Sequence, residues 1–255
     1  MYFDLSKPQI LFAQSVRDFC EREFPAERVR ELMETESGID DRLWQELADQ
    51  GWLGLHISED YDGLGLGIVD LAVLAEEFGR ACVPGPWLAT TWAATLLQAI
   101  GGKSAKDLLP KLVEGSTKIA VGALEEGGSW NLCSDNLETT LSDGKLNGQK
   151  FLVQNAGQAD HLIVPVRIAD ELGIAIVATT ADGVTIEETP GIDATRRLYQ
   201  VDFKGVAVAD DQVLATGSNA GDAWKEAMRT MTVVAAAEML GGQDWMLKET
   251  VEYAK

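Results

Sequence analysis

An α+β architecture is predicted for this 255-residue chain: an all-helical N-terminal domain, an antiparallel β-barrel-like middle domain, and the start of a C-terminal helical bundle. Three observations predict it. Helical periodicity runs from Ser6 to Glu114, short β-rich runs bounded by turn signals follow from about Lys118, and a long helical stripe follows the small residues of 216–221. The implied boundaries are 1–117, 118–215 and 216–255.

The first helix starts where Ser6, Pro8 and Gln9 supply an N-cap, a first-turn proline and a capping-box partner, and Phe12, Val16 and Phe19 then share a face. A second helix follows Asp40, with Leu43, Trp44, Leu47 and Ala48 at helical spacing until Gly51 stops it. Further helices are expected over Val69 to Phe78, Pro86 to Ile100 and Ala105 to Val113, the last interrupted by Pro110. In the middle region the β runs are Ile119–Leu124, Leu137–Leu141, Phe151–Val153, His161–Ile168, Ile174–Thr179, Val184–Glu188 and Tyr199–Phe203. Asp143-Gly144 and Asp182-Gly183 are turn dipeptides of the kind that join paired strands, and Leu146-Asn147-Gly148 by itself also reads as a hairpin turn. This spacing argues for antiparallel pairing and against βαβ units. Residues 216–221 read as a linker. Beyond it Trp224, Met228, Met231, Val234 and Ala235 form one stripe on a helix running to Lys255, about 50 Å at roughly 1.5 Å per residue. Such a stripe must pack either on the first helices or on partners elsewhere.

Composition excludes several classes of function. With 21 Lys+Arg against 41 Asp+Glu the net charge is −20, which repels a nucleic-acid backbone, so no nucleic-acid partner is expected. Any anionic ligand must rely on local arginines, backbone N–H groups and helix N-termini. Cys20, Cys82 and Cys133 form no CxxC pair, which argues against a disulfide framework or zinc knuckle and for a reduced, cytoplasmic setting. The stretch from Met1 to Pro8 has no basic region followed by an apolar run, and no window approaches a membrane span, so a soluble, unprocessed chain is expected. His56 and His161 lack companions at ligand spacing, so no metal site is expected. There is no GxSxG elbow. Gly63, Gly65 and Gly67 follow no strand and stand beside Glu59, Asp60 and Asp62, so they read as a turn between helices and not as a phosphate loop.

A series of short stretches carries a more specific signal. Gly51-Trp52-Leu53-Gly54-Leu55 with Glu59-Asp60-Tyr61-Asp62-Gly63-Leu64-Gly65 is similar to "GLLGL..PEEYGGLG", with Ser58 in place of proline and Asp62 in place of glycine. Leu71 to Arg80 is similar to "LALEELGRA", and Leu108 to Leu112 with Gly115 to "YLPPLASG". Ala123 to Ser129 is similar to "ALTEPGAGS", with Glu125 where threonine is usual, and Leu146 to Asn155 to "LNGTKTFITN". Thr195 to Leu198, Val201 to Phe203 and Val206 to Val208 are similar to closing strands, and Thr250 to Lys255 to a helix entering "YAKERKQFGRP". In this order, over essentially the whole chain, the stretches resemble the flavin-dependent acyl-CoA dehydrogenase family.

The resemblance implies an enzyme that uses FAD to introduce an α,β double bond into an acyl-CoA thioester. It implies that Leu124, Glu125, Ser129, Leu152, Val153 and Gln154 face FAD, and that Ser129, Arg229 and Thr232 approach the acyl-CoA substrate. It implies a carboxylate base of raised pKa and an enolate stabilised by hydrogen bonds to the thioester carbonyl. The usual base is expected beyond Lys255. Some members carry it on the first C-terminal helix, at the position of Met231, and methionine cannot act as a base. The chain is therefore expected to be a fragment of a longer protein, inactive as a dehydrogenase by itself. Implied partners are an electron-transfer flavoprotein or similar acceptor, and copies of the chain or a related chain in a homodimer, homotetramer or heterotetramer. The alternatives are a non-catalytic partner subunit, or a related acyl-CoA oxidase or flavin monooxygenase.

Overall fold

The computed structural model describes residues 4–35, 37–130, 132 and 136–255; Cys133 lies outside them. Six helices come first: α1 (Lys7–Glu23), α2 (Ala26–Met33), α3 (Asp41–Asp49), α4 (Ile68–Arg80), α5 (Trp87–Ile100) and α6 (Gly102–Val113). The capping box that opens α1 forms as expected: the Gln9 amide donates to the Ser6 hydroxyl and the Ser6 amide to the Gln9 side chain. Helix α2 is not predicted by periodicity. It has eight residues and buries only Val29 and Leu32, too short a stripe to register against the charges around it. Pro110 does not interrupt α6; it sits three residues before the helix's last residue, Val113, and Glu114 still donates to its carbonyl. In the glycine turn the amides of Gly65 and Leu66 donate to the carbonyls of Ile57 and Leu55, so they are spent on the chain itself.

The strands are β1 (Ile119–Val121), β2 (Thr140–Ser142), β3 (Lys145–Gln154), β4 (His161–Ile168), β5 (Glu171–Ala178), β6 (Val184–Thr189), β7 (Leu198–Ala207) and β8 (Val213–Thr216). They make one sheet in the order β6-β7-β3-β2-β4-β5-β8, with β1 also paired to β4. The sheet is mixed, since β1 and β2 both run parallel to β4 while the other pairs are antiparallel. Asp143-Gly144, both at positive φ, turn β2 into β3. Leu146-Asn147-Gly148 is not that turn but lies inside β3, where a Cβ on Gly148 would come within 2.6 Å of the Thr139 Cα. Asp182-Gly183 leads into β6 from β5, two strands that do not pair, and the Gly183 carbonyl accepts from Lys204 of β7.

Helix α7 (Gly217–Tyr253) starts directly after β8, so Thr216 ends the strand, 217–221 open the helix, and the stretch is not a linker. At about 1.5 Å per residue its 37 residues span roughly 55 Å. Its first two thirds pack on the helical layer: Ala223, Trp224 and Ala227 join a core with α5, α6 and the sheet, while Met231 and Val234 join the core of α1, α3 and α4. Beyond Gly241 the stripe is largely uncovered, leaving Met246, Leu247 and Val251 exposed. The interior of the sheet forms a third core around Leu146, Val164, Val201 and Phe203. No helix among the described residues is long and apolar enough to cross a membrane.

Candidate functional site

Two of the stretches singled out by sequence meet at one place. After β1 the chain leaves the sheet through Gly122 to Ser129, and the Phe151 amide of β3 donates to the Leu124 carbonyl at 2.8 Å. Along β3 side chains alternate, so Leu146 and Lys150 point inward. Continued, that alternation would bury Leu152. Instead the pairing with β7 shifts register between Lys150 and Val153, Leu152 adopts φ +51°, and its side chain is 49 % exposed while Val153 is 1 % exposed. This is a β-bulge used to re-aim a side chain. It presents an apolar residue outward beside the Leu124 loop. Gln154, half-buried, ends the strand, paired with Leu198 of β7.

Glu125 turns the other way. Its carboxylate accepts from the Lys150 ammonium at 2.7 Å, the Glu138 amide at 2.6 Å and the Thr139 amide at 3.0 Å. Lys150 is 0 % exposed. Burial drives the Lys150 ammonium down to about 8, although Glu125 opposes this. Burial likewise works to raise the Glu125 carboxyl, but the Lys150 hydrogen bond and charge, with the Thr139 and Glu138 donors, hold it below its ordinary value. A carboxylate of this kind does not present its charge to a ligand.

Past Ser129 the loop ends in Trp130, exposed, whose ring lies 6.5 Å from Trp92 of α5; Trp92 in turn lies 5.5 Å from Trp224 of α7. The loop is thus joined to both helices by aromatic contact. Arg229 stands about 7.5 Å further along α7 than Trp224, taking roughly 1.5 Å per residue. It is exposed and pairs with Glu226 one turn earlier, and the Thr232 hydroxyl donates to the Met228 carbonyl. Met231 is buried between these two positions.

The structure therefore gathers Leu124, Ser129, Leu152 and Gln154 around one loop and bulge. Two of the predicted cofactor contacts have side chains committed elsewhere: Val153 is core, and Glu125 is bound to Lys150, so each can offer a ligand only its backbone. Arg229 and Thr232 lie on a separate element, connected to the loop through the tryptophans. Sequence reasoning missed Lys150, Trp92, Trp130 and Trp224 as members of this site. The signal for Lys150 was a lysine at an inward position of an alternating strand; for the tryptophans there was none, since their meeting depends on tertiary packing. Among the described residues no three His, Cys, Asp or Glu side chains are grouped to hold a metal.

Comparison with known proteins gives the family. The family model for the acyl-CoA dehydrogenase N-terminal domain matches residues 6–116. Acyl-CoA dehydrogenase IpdE2 of Mycolicibacterium smegmatis is 30 % identical over 254 residues, covering 98 % of this chain and 66 % of that protein. Acyl-CoA dehydrogenase FadE28 of Mycobacterium tuberculosis is 31 % identical over 177 residues, 69 % of this chain and 50 % of its own length. Among solved structures, the G363A variant of the Tcur3481-Tcur3483 steroid ACAD superposes with a TM-score of 0.84 at 29 % identity, over 97 % of this chain and 66 % of that one. Butyryl-CoA dehydrogenase from Megasphaera elsdenii superposes with a TM-score of 0.79 at 25 % identity, over 100 % and 70 %. The chain spans half to two thirds of the length of the two curated relatives named. Helical layer, mixed sheet and long helix recur in the same order in these relatives, with sequence similarity running through them, and on that ground the chain belongs to the acyl-CoA dehydrogenase family.

Proposed function

We propose that this chain supplies the flavin face of an FAD-dependent acyl-CoA dehydrogenase, and that FAD lies against the loop Leu124–Ser129 and the bulge at Leu152. The observation that carries the reading is the bulge. It spends a positive φ on a non-glycine residue in order to turn an apolar side chain out of the core, directly beside the loop. Leu152 and Leu124 would offer apolar surface to a flat ring, Gln154 a polar group at its edge, and Ser129 a hydroxyl between cofactor and thioester. Arg229 and Thr232 would lie toward the CoA portion. FAD bound there would accept the β hydrogen of the acyl chain as hydride. The inward turn of Glu125 keeps its charge away from an anionic cofactor, because its carboxylate is paired with Lys150.

Helix α7 offers no base at the position some relatives use, since Met231 has no ionisable group and is packed in the core. The proton-abstracting carboxylate would come from another segment, of this protein or of a partner. A second reading, in which the chain is the non-catalytic partner in a heteromer, is favoured by that same methionine. It is also favoured by the likeness to the Tcur3481-Tcur3483 steroid ACAD, whose name joins two designations.

Titration of the chain with FAD, followed by flavin fluorescence, tests the main reading. Saturable binding that is lost in Leu152→Asp is expected; absence of binding would sink it. Co-purification with a second, base-bearing family member would select the heteromer, and acyl-CoA-dependent oxygen consumption would select an oxidase.

A further inference from the structure

We propose that Glu125 and Lys150 are positioning residues: their pairing fixes the loop Leu124–Ser129 at one spacing from the Leu152 bulge, and so sets the gap in which the cofactor is held. The ligand in this statement rests on the proposed function, while the geometry stands without it. One carboxylate gathers three donors from two separate stretches, Glu138 and Thr139 ahead of β2 and Lys150 on β3. Lys150 is the last residue before the register shift, and Leu152 follows two residues later, so the anchor and the re-aimed side chain share one short length of backbone. On the other side the loop leaves β1 over the lysine stem: a Cβ on Gly122 would stand 3.2 Å from the Lys150 Cγ. The Phe151 amide donates to the Leu124 carbonyl at the start of the loop, and the Glu125 carboxylate adds a second tie one residue further on.

Stability alone gives little reason for an ion pair here. Replacing a buried ion pair with well-packed apolar residues is often neutral or stabilising, because both charges must be desolvated. What the pair adds is direction. A carboxylate held by three donors has one orientation, and an apolar pair in the same volume would leave the loop several. The charge-assisted contacts at 2.6–2.7 Å are the short bonds expected of such an anchor.

The test uses the whole chain and the double substitution Glu125→Gln with Lys150→Met, which removes both charges together and keeps a carbonyl acceptor for one of the two amides. A melting temperature within a few degrees of wild type is expected. Amide hydrogen exchange without ligand should show protection lost at 124–129, 138–139 and 150–154 and retained in the helical layer. FAD affinity should fall at least tenfold. Unchanged exchange in those segments would overturn the proposal, and so would loosened segments with unaltered FAD affinity. A wild-type chain that binds no FAD would count against the proposed function, while the exchange measurement would still decide the positioning. If the double variant does not fold, Glu125→Asp, which keeps the charge and shortens its reach, should loosen the same three segments and no others.

Discussion

Two buried carboxylates hold this molecule in different ways. Glu77 lies in the crossing of α4 with α1 and α7, where it accepts from Arg17 at 2.6 and 3.0 Å and from Arg80 at 3.1 Å; Arg80 goes on to Glu76 and to Asp244 of α7. Glu125 has one cationic partner, Lys150, and two backbone amides. Arginine forks keep their charge at any ordinary pH and fix two directions at once, while an ammonium is a single point that can lose its proton. Behind Glu77 there is also bare backbone contact, since Gly79 of α4 faces the Glu238 carbonyl and Gly241 of α7 faces the Glu76 carbonyl. The helical crossing is held by guanidinium forks and backbone contact together, and the loop beside the bulge by a carboxylate whose cationic partner is an ammonium. The difference suits a framework that must not move and a surface that must accept a ligand.

The largest test of that contrast is Gly241→Ala. In a helix interior alanine ordinarily gains about 1 kcal/mol over glycine. Here a Cβ would fall well inside contact of the Glu76 carbonyl oxygen and 2.8 Å from the Arg80 amide, both backbone atoms that cannot swing aside. A loss of more than about 4 kcal/mol is expected, read by urea denaturation. A neutral or stabilised variant would mean that α4 and α7 do not meet there.

Next comes the same substitution made in both carboxylates. Glu77→Gln leaves two guanidinium groups that cannot shed their charge, at a cost of about 3 kcal/mol. Glu125→Gln should cost less at pH 7, about 2 kcal/mol, because Lys150, already lowered to about 8, is able to become neutral. If Glu125→Gln cost as much as Glu77→Gln in parallel denaturation curves, the proposed distinction between the two partners would fail.

How much of this was legible beforehand depends on how local each cause is. The capping box at Ser6 and Gln9 and the Asp143-Gly144 turn were readable, because a few neighbouring residues determine them. The stripe on α7 was readable as far as Val234, where periodicity reports real burial. The parallel partners of β4 were not, because β1 and β2 lie beside a strand distant in sequence, which turn spacing does not encode. Nor was the Leu152 bulge. A resemblance named Leu152, but alternation along β3 would have buried it, and only the register against β7 shows it turned out. The inward turn of the Glu125 side chain was not legible for a similar reason: its partner is 25 residues away on another strand.

Acid sharpens the comparison further, with the smallest effect of the three. His56 donates from Nε2 to the Thr95 hydroxyl at 2.7 Å, and the direction is fixed because that hydroxyl spends its own hydrogen on the Thr91 carbonyl at 2.8 Å. Burial lowers the ring to about 4, against an ordinary value of 6.5. Between those values the unfolded chain binds a proton that the folded chain refuses, so stability is intact above pH 6.5 and is lost as pH falls toward 4. From pH 7 to pH 5 the loss from this group is about 2 kcal/mol. The Glu125 carboxyl, lowered in the fold, begins to cost stability only as pH falls below about 4.5, its ordinary value. Acid should therefore reach the helical half through His56 before it reaches the loop. Urea midpoints should fall between pH 6.5 and pH 5 in the wild type and fall less steeply in His56→Gln, where His161, also lowered by burial, keeps the remainder, with exchange at 124–129 unchanged over that range. A slope as steep in His56→Gln as in the wild type would assign the early loss to another group and remove this asymmetry between the two halves.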